Sequence, residues 1–422
     1  MTDSEKVIQA IENEDLVLAQ EHLQAALKHD EADLLAALGD ELLTRGFLEE
    51  AQQIFTQLVE NSPETGAFYI PLAEIAIDNN QVEEAFEYLE KVTTDDEAYP
   101  QSLLVTADLY QMLGIPEVSE AKLLEVQTYL PEEPLIDFAL GELYFSNDQF
   151  SEAIARYQKL VHQGVSEISG VLMDERIGTA LGMAGEFEEA IPYLEAAVAV
   201  EATDDRLFQL AFTYLQLKEN QKVIHYLQQL RETNPQYQSL YLFLAEALQE
   251  EELLEEAQDV IEEGLRENPF QVDLYHFASE NAFRLHDVKC SEELLLQALE
   301  LGEKQEETLL TLSNLYLSEE RYQEVVDTIN RMEESDNPYA EWNLAKAYEQ
   351  LEDFDVARVH YEQAAHELEH EAEFLKDYGI FLRDEGNLTQ AKALLQHYLH
   401  HEPGDLEVAS ILEDLEGDQD AY

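Results

Sequence analysis

Small residues return along this chain at a nearly fixed interval, and that interval constrains the fold more than any other feature. They stand at Gly39, Ala73, Ala107, Gly141, Gly178, Ala211, Ala245, Ser279, Ser313, Ala345 and Gly379, with successive spacings of 34, 34, 34, 37, 33, 34, 34, 34, 32 and 34 residues. The blocks around them match. LGELYFSNDQFSEAIARYQKLV (140–161), IGTALGMAGEFEEAIPYLEAAV (177–198) and LAKAYEQLEDFDVARVHYEQAA (344–365) each carry a small residue second, an apolar or aromatic residue fifth, an aromatic eleventh and an alanine fourteenth. A period of this length is the mark of stacked supersecondary units, none of which buries its own apolar face alone.

The pattern resembles the tetratricopeptide repeat family, whose 34-residue unit is a helix–turn–helix. The matching positions are the small residue, a tyrosine three residues on (Tyr110, Tyr144, Tyr214, Tyr316, Tyr348) and an alanine twelve on (Ala51, Ala85, Ala153, Ala190, Ala257, Ala357, Ala391). The closing proline recurs as Pro63, Pro131, Pro235, Pro269 and Pro403. Ser119, Val223, Ser291 and Val325 replace the alanine, the early tryptophan of the family is missing, and a first unit around Val7, Ala19 and Ala26 is degenerate. The resemblance covers about residues 1–404 and implies an all-α, right-handed superhelical solenoid of about twelve repeats. Gly46, Gly185 and Gly386 fall where the first helix (A) of a repeat hands over to the second (B) and supply left-handed turns. The 37-residue interval makes residues 162–171, between Gly164 and Gly170, the expected hinge. DLEVASILEDLEG (405–417) reads as a final solvating helix, and residues 418–422 as a short acidic tail.

Charge narrows the function. Acids outnumber bases 93 to 23, a net −70, which repels phosphate backbones and anionic lipid and leaves a basic partner permitted. Cys290 stands alone, so no intramolecular disulfide forms, and the N-terminus MTDSEKVIQA lacks a basic, then apolar, leader. A cytoplasmic protein is expected.

The stretch HELEHEAEF (366–374) contains H-E-x-x-H, in which two histidines on one helix face hold zinc and the glutamate activates water. In repeat register His366 falls in the last turn of one helix and His370 at the connection to the next, so the geometry is lost. No catalytic zinc is expected there. His397, His400 and His401 read as a solvated helix end, Cys290 as a small buried hydrophobe, and neither G-x-x-x-x-G-K-[ST] nor G-x-G-x-x-G occurs. No metal, cofactor or catalytic residue is assigned, and the repeats leave no room for a separate catalytic domain.

The resemblance implies that the A helices line a concave binding surface. The residue after each small site forms an acidic ladder: Asp40, Glu74, Asp108, Glu142, Glu246 and Glu280. Three residues before the small site stand Phe138, Phe208, Leu242 and Trp342, and further along the same helices Phe145, Phe212 and Phe283. Co-chaperone members of the family clamp a C-terminal carboxylate with lysine and asparagine, whereas these positions are mostly apolar or acidic. Rungs of the ladder are expected about 18–20 Å apart, far enough for salt to screen their repulsion. The expected function is a protein-interaction scaffold whose groove (Asp40, Glu74, Asp108, Phe138, Glu142, Phe145, Phe208, Phe212, Leu242, Glu246, Glu280) holds a basic, amphipathic segment of a partner protein. The alternative is a self-associating accessory subunit of an enzyme complex.

Overall fold

At four of the small sites, a bulky side chain packs over a missing Cβ and sets the helix pair. In the computed structural model, which describes residues 1–332 and 336–417, a Cβ built on Gly39 would lie 2.6 Å from the Phe55 ring and one on Gly141 2.5 Å from Tyr157. The corresponding distances are 2.7 Å from Gly178 to Leu194 and 2.7 Å from Gly379 to Leu395. In each pair the bulky residue follows the glycine by sixteen positions, so a B helix always crosses its A helix at the same place. The alanines of the B helices, Ala51, Ala153, Ala257 and Ala391 among them, are fully buried at these crossings. Departures from the pattern are compensated. Ser279 and Ser291, at the small site and the alanine site of one repeat, hold their hydroxyls 2.7 Å apart.

Twenty-five α-helices run through the described residues, and each of the chain's two compact units, residues 1–217 and 218–422, is an all-α solenoid. The first carries six helix pairs from Asp3 to Val200 and then Asp204–Gln216; the second opens with Asn220–Thr233, continues in five pairs from Leu240 to His401 and ends on Leu406–Gly417. That last helix is capped by Asp405, whose Oδ1 accepts from Val408 N at 3.1 Å, and it buries Val408 and Leu415 in the core. The expected acidic tail, 418–422, lies outside the described residues.

The turns inside each pair use the left-handed region throughout. Gly46, Gly185 and Gly386 adopt it at φ 81, 82 and 82°, and elsewhere residues such as Asn80, Glu252 and His286 take the same role. Residues 162–171 close into a two-residue-turn hairpin, Glu167–Ile168 against Val171–Leu172, with Ser169 and Gly170 both at positive φ, the geometry that matches strand twist. The division into compact units falls at Leu217/Lys218.

The crossing is testable. Gly141→Ala drives a methyl into the fully buried Tyr157 ring and is expected to cost about 1–3 kcal/mol. Because repeats couple to their neighbours, amide hydrogen exchange should rise first between residues 134 and 162, before the rest of the unit responds. Unchanged exchange there would argue that the small site tolerates a methyl and does not set the crossing.

Candidate functional site

Positions three before, one after and four after the small residue form one stripe along each A helix, at i, i+4 and i+7. In the first unit this stripe starts with Asp40, Glu74 and Asp108. Asp40 and Asp108 keep exposed side chains and Glu74 is half-buried, yet all three carboxyl groups are held above their usual pKa. Desolvation is the leading cause in each, which for an exposed group means protein walls on either side. Glu74 is pushed further by the charges of Asp40, Asp78 and Asp108. The rungs therefore feel one another.

That result corrects the expected separation of about 18–20 Å, which placed a second helix between neighbouring rungs. Consecutive A helices instead touch directly, and side chains of neighbouring repeats bond. Arg176 Nη2 reaches Glu142 Oε2 at 2.7 Å, Arg206 pairs with Glu175 at 2.8 Å, and Gln209 Nε2 donates to Thr179 Oγ1 at 2.7 Å. Glu142 also accepts from Tyr157 Oη at 2.6 Å, and the Arg176 guanidinium lies 5.7 Å over Phe145. Two members of the candidate groove, Glu142 and Phe145, are thus already engaged by a cation from the next repeat. Phe138 is half-buried with its ring 6.4 Å from Tyr157, Phe208 is half-buried, and Phe212 is exposed.

The second unit holds Leu242, Glu246 and Glu280. Leu242 and Glu280 line a cavity of about 620 Å³, together with His276, Phe277 and Phe283. Glu280 stands exposed without an ion-pair partner among the described residues, and Phe283 is 42% exposed beside it. Burial holds the Glu246 carboxyl above its usual pKa, with Glu250 adding to the effect. His276 Nε2 lies 2.7 Å from Thr308 Oγ1, and desolvation lowers its pKa despite Glu307 at 3.6 Å. A second cavity, of about 560 Å³, shares Asn314 and Ser318 with the first and continues past Trp342, so the concave face of this unit is one groove.

Sequence reasoning missed His276, Phe277, Asn314, Lys346 and Asp377. Lys346 and Asn314 occupy the ladder position but are not acidic, and Phe277 and Asp377 lie two residues before the small site, a position that flanks the stripe. Asn314, Asn343 and Lys346 do stand in the groove. Asn343 Nδ2 is spent on Ser313 at 2.8 Å and Asn314 at 2.6 Å, and Lys346 on Asp377 at 3.0 Å. In the H-E-x-x-H stretch the helix Phe354–Ala364 ends before His366, and His370 sits in the turn before Ala372–Asp384. The two imidazoles do not share a helix. No helix among the described residues is long and apolar enough to cross a membrane.

The raised carboxyl groups give a pH signature. A carboxyl that keeps its proton to higher pH when folded stabilises the fold below the ordinary carboxylate range, and that contribution is lost as pH rises through its folded pKa. Glu74→Gln should therefore raise the melting temperature at neutral pH, with the gain vanishing near about pH 3, where both states are protonated. A melting temperature lowered at pH 7 would show that the Glu74 charge is compensated.

Similarity to known proteins follows the repeats. Residues 36–102 match the profile of the tetratricopeptide repeat, residues 111–165 that of YpiA-like tetratricopeptide repeats and residues 338–405 that of YpiA-like C-terminal tetratricopeptide repeats. The TPR repeat-containing protein YpiA of Bacillus subtilis (strain 168) is 36% identical over 376 residues, 88% of each chain. Among solved structures, the APC/C hetero-tetramer Cut9–Hcn1 aligns over 97% of this chain and 95% of its own at 12% identity and a TM-score of 0.43. Yeast Tom70 aligns over 99% and 95% at 12% and 0.40.

Proposed function

This chain belongs to the tetratricopeptide repeat family, a protein-interaction repeat scaffold, and on that premise we propose that its concave faces hold a basic, amphipathic segment of a partner protein. One observation carries the reading: in the second unit, Leu242, Phe277 and Phe283 line a cavity beside the Glu280 carboxylate, which has no ion-pair partner among the described residues. Apolar rings left open next to a charge are costly to leave in water, and a segment with leucine-like residues on one side and lysine or arginine on the other satisfies both. In the first unit the acids Asp40, Glu74 and Asp108 offer the charged half of the same chemistry. Arg176 supports the reading from inside the chain. It places a cation on an acid and a ring, Glu142 and Phe145, in the manner expected of the partner's own basic residue.

The test is kinetic. The partner is captured from native lysate, identified by mass spectrometry and its binding measured at two salt concentrations. Glu246→Lys with Glu280→Lys should slow association and flatten the salt dependence, because exposed charges act mainly on encounter. Phe277→Ala with Phe283→Ala should speed dissociation, at about 2 kcal/mol or more for true anchors; Phe208→Ala with Phe212→Ala reads out the first unit in the same way. If folded variants of all three kinds bind like the wild type, the concave faces are not the binding surface.

A further inference from the structure

We propose that the cavity walled by Trp342, Glu349 and Asp377 is the seat for an arginine side chain of that basic segment, an inference that rests on the groove reading above. The cavity, about 560 Å³, is formed by the helices Gln305–Ser318, Pro338–Gln350 and Ala372–Asp384, with Leu317 and Ile380 supplying apolar wall. A cation already sits in it. The Lys346 ammonium lies 5.1 Å over the Trp342 indole and 3.0 Å from Asp377 Oδ2, and the indole Nε1–H donates to that same oxygen at 3.1 Å. An aromatic face and a carboxylate fixed by a second donor are the two halves of a cation seat.

Lys346 does not fill it. Two carboxylates line the cavity against one ammonium. Glu349 spends Oε2 on Tyr361 Oη at 2.9 Å, and among the described residues no donor reaches Glu349 Oε1 or Asp377 Oδ1. Desolvation, then the charges of Asp377 and Asp384, hold the Glu349 carboxyl above its usual pKa against the opposing bond to Tyr361 and the charge of Lys346, so the resident ammonium compensates it only in part. A guanidinium suits this vacancy better than an ammonium. Its planar face stacks on an indole, its fork supplies several donors at once, and it sheds water more readily. A side chain is favoured over a free amine because the cavity runs on, through Asn314 and Ser318, into the apolar one at Phe277 and Phe283. A segment whose leucines occupy the latter carries its arginine into the former. Lys346 is then a resident competitor that the arginine displaces.

Trp342 is the only tryptophan in the sequence, so its fluorescence reports on this cavity alone. The probe is a synthetic amphipathic peptide with leucine on one face and arginine on the other, free of tryptophan and labelled for anisotropy, with a citrulline version as its neutral control. The full chain should bind the arginine peptide with a saturable change in Trp342 emission that follows the anisotropy, and the citrulline peptide should produce neither. Glu349→Gln, which can still accept from Tyr361, should weaken binding by about tenfold or more. Lys346→Met should strengthen it several-fold, a sign that loss of structure would not produce. If anisotropy reports binding while Trp342 emission stays constant, the arginine sits elsewhere: the seat is overturned and the groove function stands. If free arginine amide gives the same emission change at the same concentration, the cavity takes small cations and no peptide side chain is implied. Absence of binding by both readouts overturns the seat together with the basic-segment reading.

Discussion

The contact between a bulky B-helix residue and the small residue of its own A helix, a glycine in four repeats and an alanine or serine in the others, is the constraint from which the rest follows. Tyr157 can lie on Gly141, and Leu395 on Gly379, only because nothing projects from the A helix at that point. Once that crossing is fixed, the alanine twelve residues on is sealed at full burial, and the next A helix has one place to lie. The tyrosines then tie the stack together. Tyr144 and Tyr316 each donate to a glutamate 24 residues earlier, Glu120 at 2.6 Å and Glu292 at 2.8 Å, so a ring fills the gap between repeats while its hydroxyl finds an acceptor. Part of the chain's acidity is therefore structural. Those glutamates serve as hydrogen-bond acceptors between repeats.

Direct contact between consecutive A helices has an electrostatic consequence. Because side chains of neighbouring A helices can bond, a base at the right position neutralises an acid on the adjacent repeat, as Arg176 does for Glu142 and Lys346 for Asp377. Where no base follows, acids raise one another's pKa, as Asp40 and Asp108 do for Glu74. With 23 bases against 93 acids, most rungs lack that compensation. Charge left uncompensated on the A helices destabilises the fold modestly.

The fold was legible because its determinant is local. A small residue, a tyrosine three positions on and an alanine twelve on are visible as letters, and the 37-residue interval marked where the Glu167–Leu172 hairpin interrupts them. That Asp40, Glu280 and Phe283 share one helical phase on the A helices was legible for the same reason. What stayed hidden depended on the rotation between repeats. That Glu142 meets Arg176, that Trp342 meets Asp377, and that the position two before the small site enters the groove at Phe277 are facts about neighbouring helices, and a single period does not contain them. The separation of the rungs failed for this reason too: helix diameters give a spacing only when the order of stacking is known.

Acids alone carry little information in a chain with a net charge of −70, so the useful distinction is between acids that are spent and acids that are not. Glu292 accepts from both Tyr316 and Arg321, and Asp405 from Lys376, Tyr398 and its own helix; those donors favour the charged form and hold Glu292 below its usual pKa and Asp405 well below. Glu74, Asp108, Glu246 and Glu349 shift the other way, with desolvation the leading cause in each; only Glu349 has an opposing donor, Tyr361, and burial outweighs it. The first group lies between repeats and the second on the A helices. Solubility alone would be served by acids in full contact with water, where their charge costs least. Carboxylates crowded by protein walls and still short of donors have the placement that a cationic partner would complete.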